Sequence, residues 1–331
     1  LLRAAGSREA PPPELEARAR AAVEAQWRDR VAAKPTQRRG WTMVALPIAA
    51  SLAIAAAVAL WWTRMDGGPS GSTPAPPPPV AAAVLVRGDA ISIADDDPAT
   101  RRALAAGASL AAGSRIETRA GAVVALALDD ETSVRIAPES SVVLAARGRL
   151  ELERGKLYVD HRGDRSAEGT GPALEIHTEL GVVTEVGTQF EVAVAGGTLR
   201  TRVREGVVAF TTGSERYLAA AGSELEWTAP SGAERRQIAP FADVWSWTVE
   251  AAPALDVQGW TLDRVLTWVT RETGRQVVFA DPALHARLGG ERIAGELRIG
   301  PLDALEIVPR LYGLVARVDG GTLFLEAADA G

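Results

Sequence analysis

Three histidines, His161, His177 and His285, are the side chains best suited to proton transfer or metal binding in this 331-residue sequence. His161 stands in the run Asp160-His-Arg-Gly-Asp164. If that loop folded back, its two carboxylates and imidazole could hold a divalent cation or serve a hydrolase. A lone histidine in a charged, Gly-containing loop is more often solvated, which is the expectation here. His177 falls on a predicted strand with no local carboxylate–serine partner. The carboxylate groups Asp95–Asp97 and Asp129–Glu131 sit in predicted turns, where they satisfy local backbone N–H groups. Cysteine is absent, which excludes disulfides, thiolate metal sites and cysteine nucleophiles. The sequence also lacks a nucleophile elbow, a zinc-protease helix, a phosphate loop and a calcium loop. The expectation is a protein without catalytic residues, bound metal or cofactor, working through contacts with other molecules.

The elements that would position such contacts start with an apolar run. From Gly40 to Thr63 no side chain is charged. Trp41 to Trp62 as a helix would rise roughly 33 Å, against a bilayer core of about 30 Å. Trp41 stands at one end and Trp61 and Trp62 at the other, where indoles favour the headgroup level. Arg20, Arg28, Arg30, Lys34, Arg38 and Arg39 precede the run, and Arg64 is the one basic residue in a similar window after it. This asymmetry predicts a single-pass helix in a bacterial inner membrane, with the N-terminus cytoplasmic and the bulk periplasmic. Residues 1–39 carry nine Lys/Arg and five Asp/Glu, a charge of +4 within a total of −6, so the remainder carries −10. An acidic exterior argues against nucleic acid as its ligand. Ala45, Ala49, Ala53 and Ala57 make a small-residue stripe compatible with a helix-mediated homodimer, and the abundance of alanine accounts for it as well.

The expected organisation is a cytoplasmic segment (1–39), a transmembrane helix (40–63), a Pro/Gly/Ser-rich linker (64–82), an antiparallel β domain of sandwich or barrel type (83–235), a Trp-containing bridge (236–257) and a small α+β domain (258–327). The fold class is therefore mainly β. In the first segment Leu15, Val23 and Trp27 lie on a thin apolar stripe at helical spacing that could dock on a partner. In the β domain, Phe190, Val192 and Val194 alternate with Gln189 and Glu191, and Leu199, Thr201 and Val203 alternate with Arg200, Arg202 and Arg204. That pattern predicts one buried and one wet face, with the arginines solvated. Trp245 and Trp247 are expected to pack the bridge between the two domains. Beyond it the pattern predicts a helix at Trp260–Arg271, a strand at Val277–Phe279, a turn at Asp281–Pro282 and a strand at Arg292–Ile299. A second helix at Leu302–Leu311 and a hairpin around Gly320–Gly321 complete it.

The run His177-Thr-Glu-Leu-Gly-Val-Val-Thr-Glu-Val-Gly-Thr-Gln-Phe-Glu-Val192, followed by Val203-Arg-Glu-Gly-Val-Val208, resembles the FecR family. Leu110–Thr118, Asp129–Ile136, Leu152–Val159 and Tyr217–Glu224 extend the resemblance over roughly residues 83–235. Glu131 stands where the family's hairpin has glycine. The matching motif residues are Gly187, Thr188, Phe190 and Gly206, with the glycines suited to positive φ or close backbone approach rather than to a ligand. The resemblance implies a regulator that senses a TonB-dependent receptor or other envelope protein outside and controls an extracytoplasmic-function sigma factor inside. Thr273-Gly-Arg-Gln-Val-Val-Phe279 and Pro301–Leu314 resemble the short N-terminal domain of secretins and TonB-dependent receptors, which implies a β-α-β-β-α-β-like order. An envelope structural or assembly module, with the helix as a plain anchor, is the alternative reading.

Overall fold

The computed structural model describes residues 79–94, 97–162 and 173–328, with the backbone alone at 186–188. Leu15, Val23, Trp27, Trp41, Trp61, Trp62 and Asp164 lie outside the described residues, as do the expected cytoplasmic segment and membrane helix. Among the described residues no helix is long and apolar enough to cross a membrane.

Fifteen strands form one hydrogen-bonded system. In chain order they are β1 (Pro79–Arg87), β2 (Ala90–Ile93), β3 (Arg102–Ala103), β4 (Ser109–Ala111) and β5 (Arg115–Thr118). Next come β6 (Val123–Ala127), β7 (Thr132–Ile136), β8 (Ser141–Ala146), β9 (Arg149–His161) and β10 (Glu175–Thr178). The last five are β11 (Gly181–Ala195), β12 (Thr198–Thr212), β13 (Glu215–Ala220), β14 (Ser223–Thr228) and β15 (Gly232–Gln237). β1 begins at Pro79, inside the stretch read from sequence as linker. The mainly β character follows from the alternation of apolar and polar residues, which suits a pleated surface with two faces.

Three long strands divide this system into two layers. β9 pairs with β8 and β10 through residues 149–154 and with β7 and β11 through residues 155–161. β11 leaves β10 and joins β9 beyond Glu185, while β12 leaves β14 and joins β13 beyond Arg204. The switches fall at one level and coincide with irregular pairing: the β11–β12 register shifts between Val186, Gln189 and Phe190. Extra residues bend a strand and increase its twist, which carries it round the corner of a sandwich. Gly155 has φ +85°, and a Cβ there would collide with Ser140. Gly206, opposite the irregular stretch of β11, has φ +81°. Between the layers lies one apolar core that includes Ile116, Leu126, Leu157, Phe190, Val203 and Phe210, each at most 1% exposed.

A 3-10 turn (Asp243–Trp245) runs into helix α1 (Ser246–Glu250). Helix α2 (Leu262–Thr273) is capped by the Thr261 hydroxyl, which accepts from Arg264 N at 3.2 Å, and is stopped by Gly274 at φ +69°. Helix α3 (Pro282–Leu288) stands where sequence indicated only a turn. The Asp281 carboxylate caps it and Pro282 opens it, so the Asp-Pro pair that reads as a turn is here a helix start. Helix α4 (Pro301–Leu311) carries Pro309 in its last turn and ends two residues later.

The expected strand at Arg292–Ile299 is reduced to Arg298–Ile299, paired with Leu255–Asp256, plus a bridge from Arg292 to Thr261. Gly295, at φ +84°, interrupts the extended run. Gln276–Phe279, Thr322–Ala327 and Leu314–Asp319 form a three-stranded sheet in that spatial order. A second apolar core, built on Leu262, Val265, Val269, Val308 and Leu325, serves this part.

Candidate functional site: a charged seam over the outer sheet face

The outward side chains of β7, β9, β11 and β12 alternate with the core residues, as the sequence predicted, but they are not wet. Gln189 is 2% exposed, Glu191 0%, Arg202 9% and Arg204 6%. The solvated-face expectation fails because the bridge and the end of α2 lie across this surface. Sequence periodicity reports which residues share a face and carries no information on what covers it.

Trp245 and Trp247 are the first cover. The Trp245 indole is buried, meets Tyr158 edge to face at 6.1 Å between centroids, and donates Nε1–H to the Ala239 carbonyl at 3.1 Å. Trp247 Nε1–H donates to Glu191 Oε2 at 2.7 Å, and the Lys156 ammonium lies 4.7 Å above the Trp247 ring centroid. Indole suits this position because one ring fills space while its N–H reaches a polar partner.

The last turn of α2 supplies the second cover. Arg135, 1% exposed, donates from Nη2 to Glu272 Oε2 at 2.7 Å and from Nη1 to the Thr248 carbonyl at 2.6 Å. Arg204 Nη1 donates to the Glu272 backbone carbonyl at 2.8 Å, satisfying one of the carbonyls that a helix leaves open at its C-terminus. The rest of the Arg204 guanidinium lies over Trp245 and Tyr158, with Cζ 4.6 and 5.7 Å from their centroids.

Charge also crosses in the other direction. Arg271 donates from Nε and Nη2 to Asp160 Oδ1 at 3.0 and 2.7 Å, to the His161 carbonyl at 2.7 Å and to Glu205 at 2.8 Å. Gln189 Nε2 adds a bond to Asp160 Oδ1 at 3.1 Å. Beside these, Arg202 bridges Glu191 at 3.0 Å and Glu224 at 2.5 Å.

The electrostatics follow from this arrangement. Burial pushes the Asp160 carboxyl upward, and Arg271 and Arg135 outweigh it, so the group is held below its ordinary range. Burial opposes the charge on Arg135, and Glu272 restores it and raises the group. Burial pushes the Tyr158 phenol upward, keeping it neutral between the two arginines. The charged groups of this face are thus satisfied within the chain, by the bridge and the end of α2.

The histidines are placed by the fold away from any joint site. His161 is 5% exposed, against the solvated expectation, and its Nδ1 lies 2.9 Å from Thr132 Oγ1. A cavity of about 350 Å³ opens beside this pair, with Leu128, Leu144, Leu150 and Leu174 in its wall. His177 does have a carboxylate neighbour, Glu175 Oε2 at 2.8 Å on the same strand face. His285 lies 2.8 Å from Asp263 Oδ1 and stacks on Phe279. Asp160 is engaged with Arg271, and among the described residues no group of three or more His, Asp or Glu side chains is placed to hold a metal ion.

Of the motif residues, Phe190 is fully buried in the sandwich core and Gly206 takes the left-handed conformation at the corner of β12. Gly187 and Thr188 lie on the β11 backbone within the register shift. Arg135, Tyr158, Arg271 and Glu272 were not singled out by sequence. The one available signal was the pair of tryptophans in the bridge, which indicated a covered surface without saying which.

Among curated proteins none matches the sequence. Two crystal structures of a proposed anti-sigma factor from Parabacteroides distasonis, at 1.65 and 2.50 Å resolution, are similar at 16% identity and a TM-score of 0.34. Each covers 64% of this chain and 98% of the other, a likeness too loose to carry a conclusion about fold or function. Residues 114–209 match the family described as FecR protein. The matched span runs from the start of β5 into β12, through the corner strands that build the seam's floor, so the chain carries a FecR domain over those residues.

Proposed function

We propose that this chain is a membrane-anchored signalling regulator that relays an envelope signal to a cytoplasmic extracytoplasmic-function sigma factor through protein–protein contacts. The FecR domain at residues 114–209 carries the reading, since FecR proteins are regulatory and not enzymatic. The uncharged run from Gly40 to Thr63, with its basic N-terminal flank, supplies the membrane anchor and the direction. Residues 1–39 are the contact for the sigma factor, through Leu15, Val23 and Trp27. The periplasmic part meets a TonB-dependent receptor or another envelope protein, and its C-terminal portion is read as a module like the short N-terminal domain of such receptors.

Affinity capture on residues 1–39 is expected to recover a sigma factor, and deletion of the gene to change transcription from that factor's promoters. Recovery of no sigma factor together with unchanged transcription would reject the signalling role. A plain anchor for an envelope assembly module would then stand.

A further inference from the structure

The two apolar cores of the described chain do not merge. One is confined to residues 80–233 and the other to residues 255–325, and the bridge enters the second alone, through Leu255 and Val257. The bridge belongs sterically with the C-terminal elements: a Cβ at Gly274 would collide with Pro240, and one at Gly321 with Phe241. Residues 240–328 therefore form one body, and its contact with the sandwich is the charged seam.

That contact is reciprocal. Arg135 and Arg204 of the sandwich converge on Glu272, and Arg271 reaches back to Asp160. The apolar part of the contact includes Trp245 against Tyr158. Buried ion pairs lose in desolvation much of what they gain by attraction, so they specify a docking geometry without adding much stability. Polar contacts between domains separate more readily than apolar ones.

We propose that the C-terminal body is latched to the sandwich and not fused to it, with Arg271 and Glu272 at the end of α2 as the latch. On release, the two bodies part as folded units about Gln237–Ala239, and water reaches Arg135, Asp160 and Arg204. Resting on the proposed signalling role, this release is the periplasmic event that a receptor would drive or oppose.

The natural absence of cysteine allows a direct test on the full chain. Cysteines introduced at exposed Ser214 and Ala286 are the sole sites for spin labels, and the distance between them reports docking. The parent is expected to show one distance. Glu272→Gln and Arg271→Gln are each expected to add a longer population of at least about a tenth of the molecules, with circular dichroism unchanged. Retention of the single parental distance in both folded variants overturns the latch. So does loss of both bodies in one unfolding transition in both variants, since the seam would then belong to a shared core. Transcription from sigma-factor promoters is read separately. A lengthened distance with no transcriptional change in any variant or in the deletion strain rejects the signalling role and leaves the latch standing.

Discussion

The two faces of the β7–β9–β11–β12 layer are buried to a similar degree by opposite chemistry. On the inner face Phe190, Val192, Leu157 and Val159 pack against the other layer. On the outer face Glu191, Asp160, Arg135 and Arg204 meet the bridge and α2 through hydrogen bonds and ion pairs. Apolar burial is non-directional and stabilises in proportion to area. Polar burial is directional, and its contribution depends on every partner being in place. The inner face therefore holds the domain together, while the outer face defines where a second body sits.

Truncating each face should separate these roles. The largest effect is expected for Phe190→Ala, a loss of about 3 to 5 kcal/mol from cavity formation, measured by denaturant unfolding of the sandwich. Glu272→Leu leaves Arg135 buried and unpaired and should cost about 3 to 5 kcal/mol of docking. Adding Arg135→Met should recover most of that loss, because the pair then becomes apolar. A double-mutant cycle on the docked fraction reads this directly, and simple additivity of the two losses would break the comparison.

Gly155→Ala tests the corner between the layers. Its positive φ and its contact with Ser140 leave no room for a methyl group. A loss of roughly 2 kcal/mol in unfolding stability is expected.

Acid should act on the outer face. Burial opposes Asp160 ionisation, yet Arg271 and Arg135 hold its folded-state pKa below the unfolded value of about 3.9. Its contribution is thus complete above that value and is lost as pH falls through the folded-state pKa. Asp160→Asn should flatten the dependence of docking on pH below about 4, followed by the spin-label distance across a pH series. The smallest effect belongs to the exposed pair Arg310–Glu306 on α4, at 72% and 65% side-chain exposure. Glu306→Ala should change stability by no more than about 0.5 kcal/mol, read from the denaturant midpoint.

Much of the framework was legible because it is encoded locally. Alternation along residues 189–204 predicted paired strands with one apolar face, and Asp129 closes the β6–β7 turn by accepting from the Glu131 and Thr132 amides at 2.9 and 2.6 Å. The apolar stripe of α2 and Gly274 are likewise local signals, whereas the Thr261 cap came from the structure. Helix α3 was missed because Asp281–Pro282 is as good a helix start as a turn, and seven residues give too little periodicity to decide.

What the sequence by itself determined is the two-faced strand pattern, the FecR motif, the amphipathic helix ended by Gly274 and the uncharged run from Gly40 to Thr63. Each rests on neighbours along the chain, through the two-residue period of strands or the 3.6-residue period of helices. Only the tertiary structure decided that the polar face is covered and that Arg135 meets Glu272, 137 residues further on. A charged side chain has the same sequence signature whether water or a distant ion pair satisfies it, and only folding selects between them.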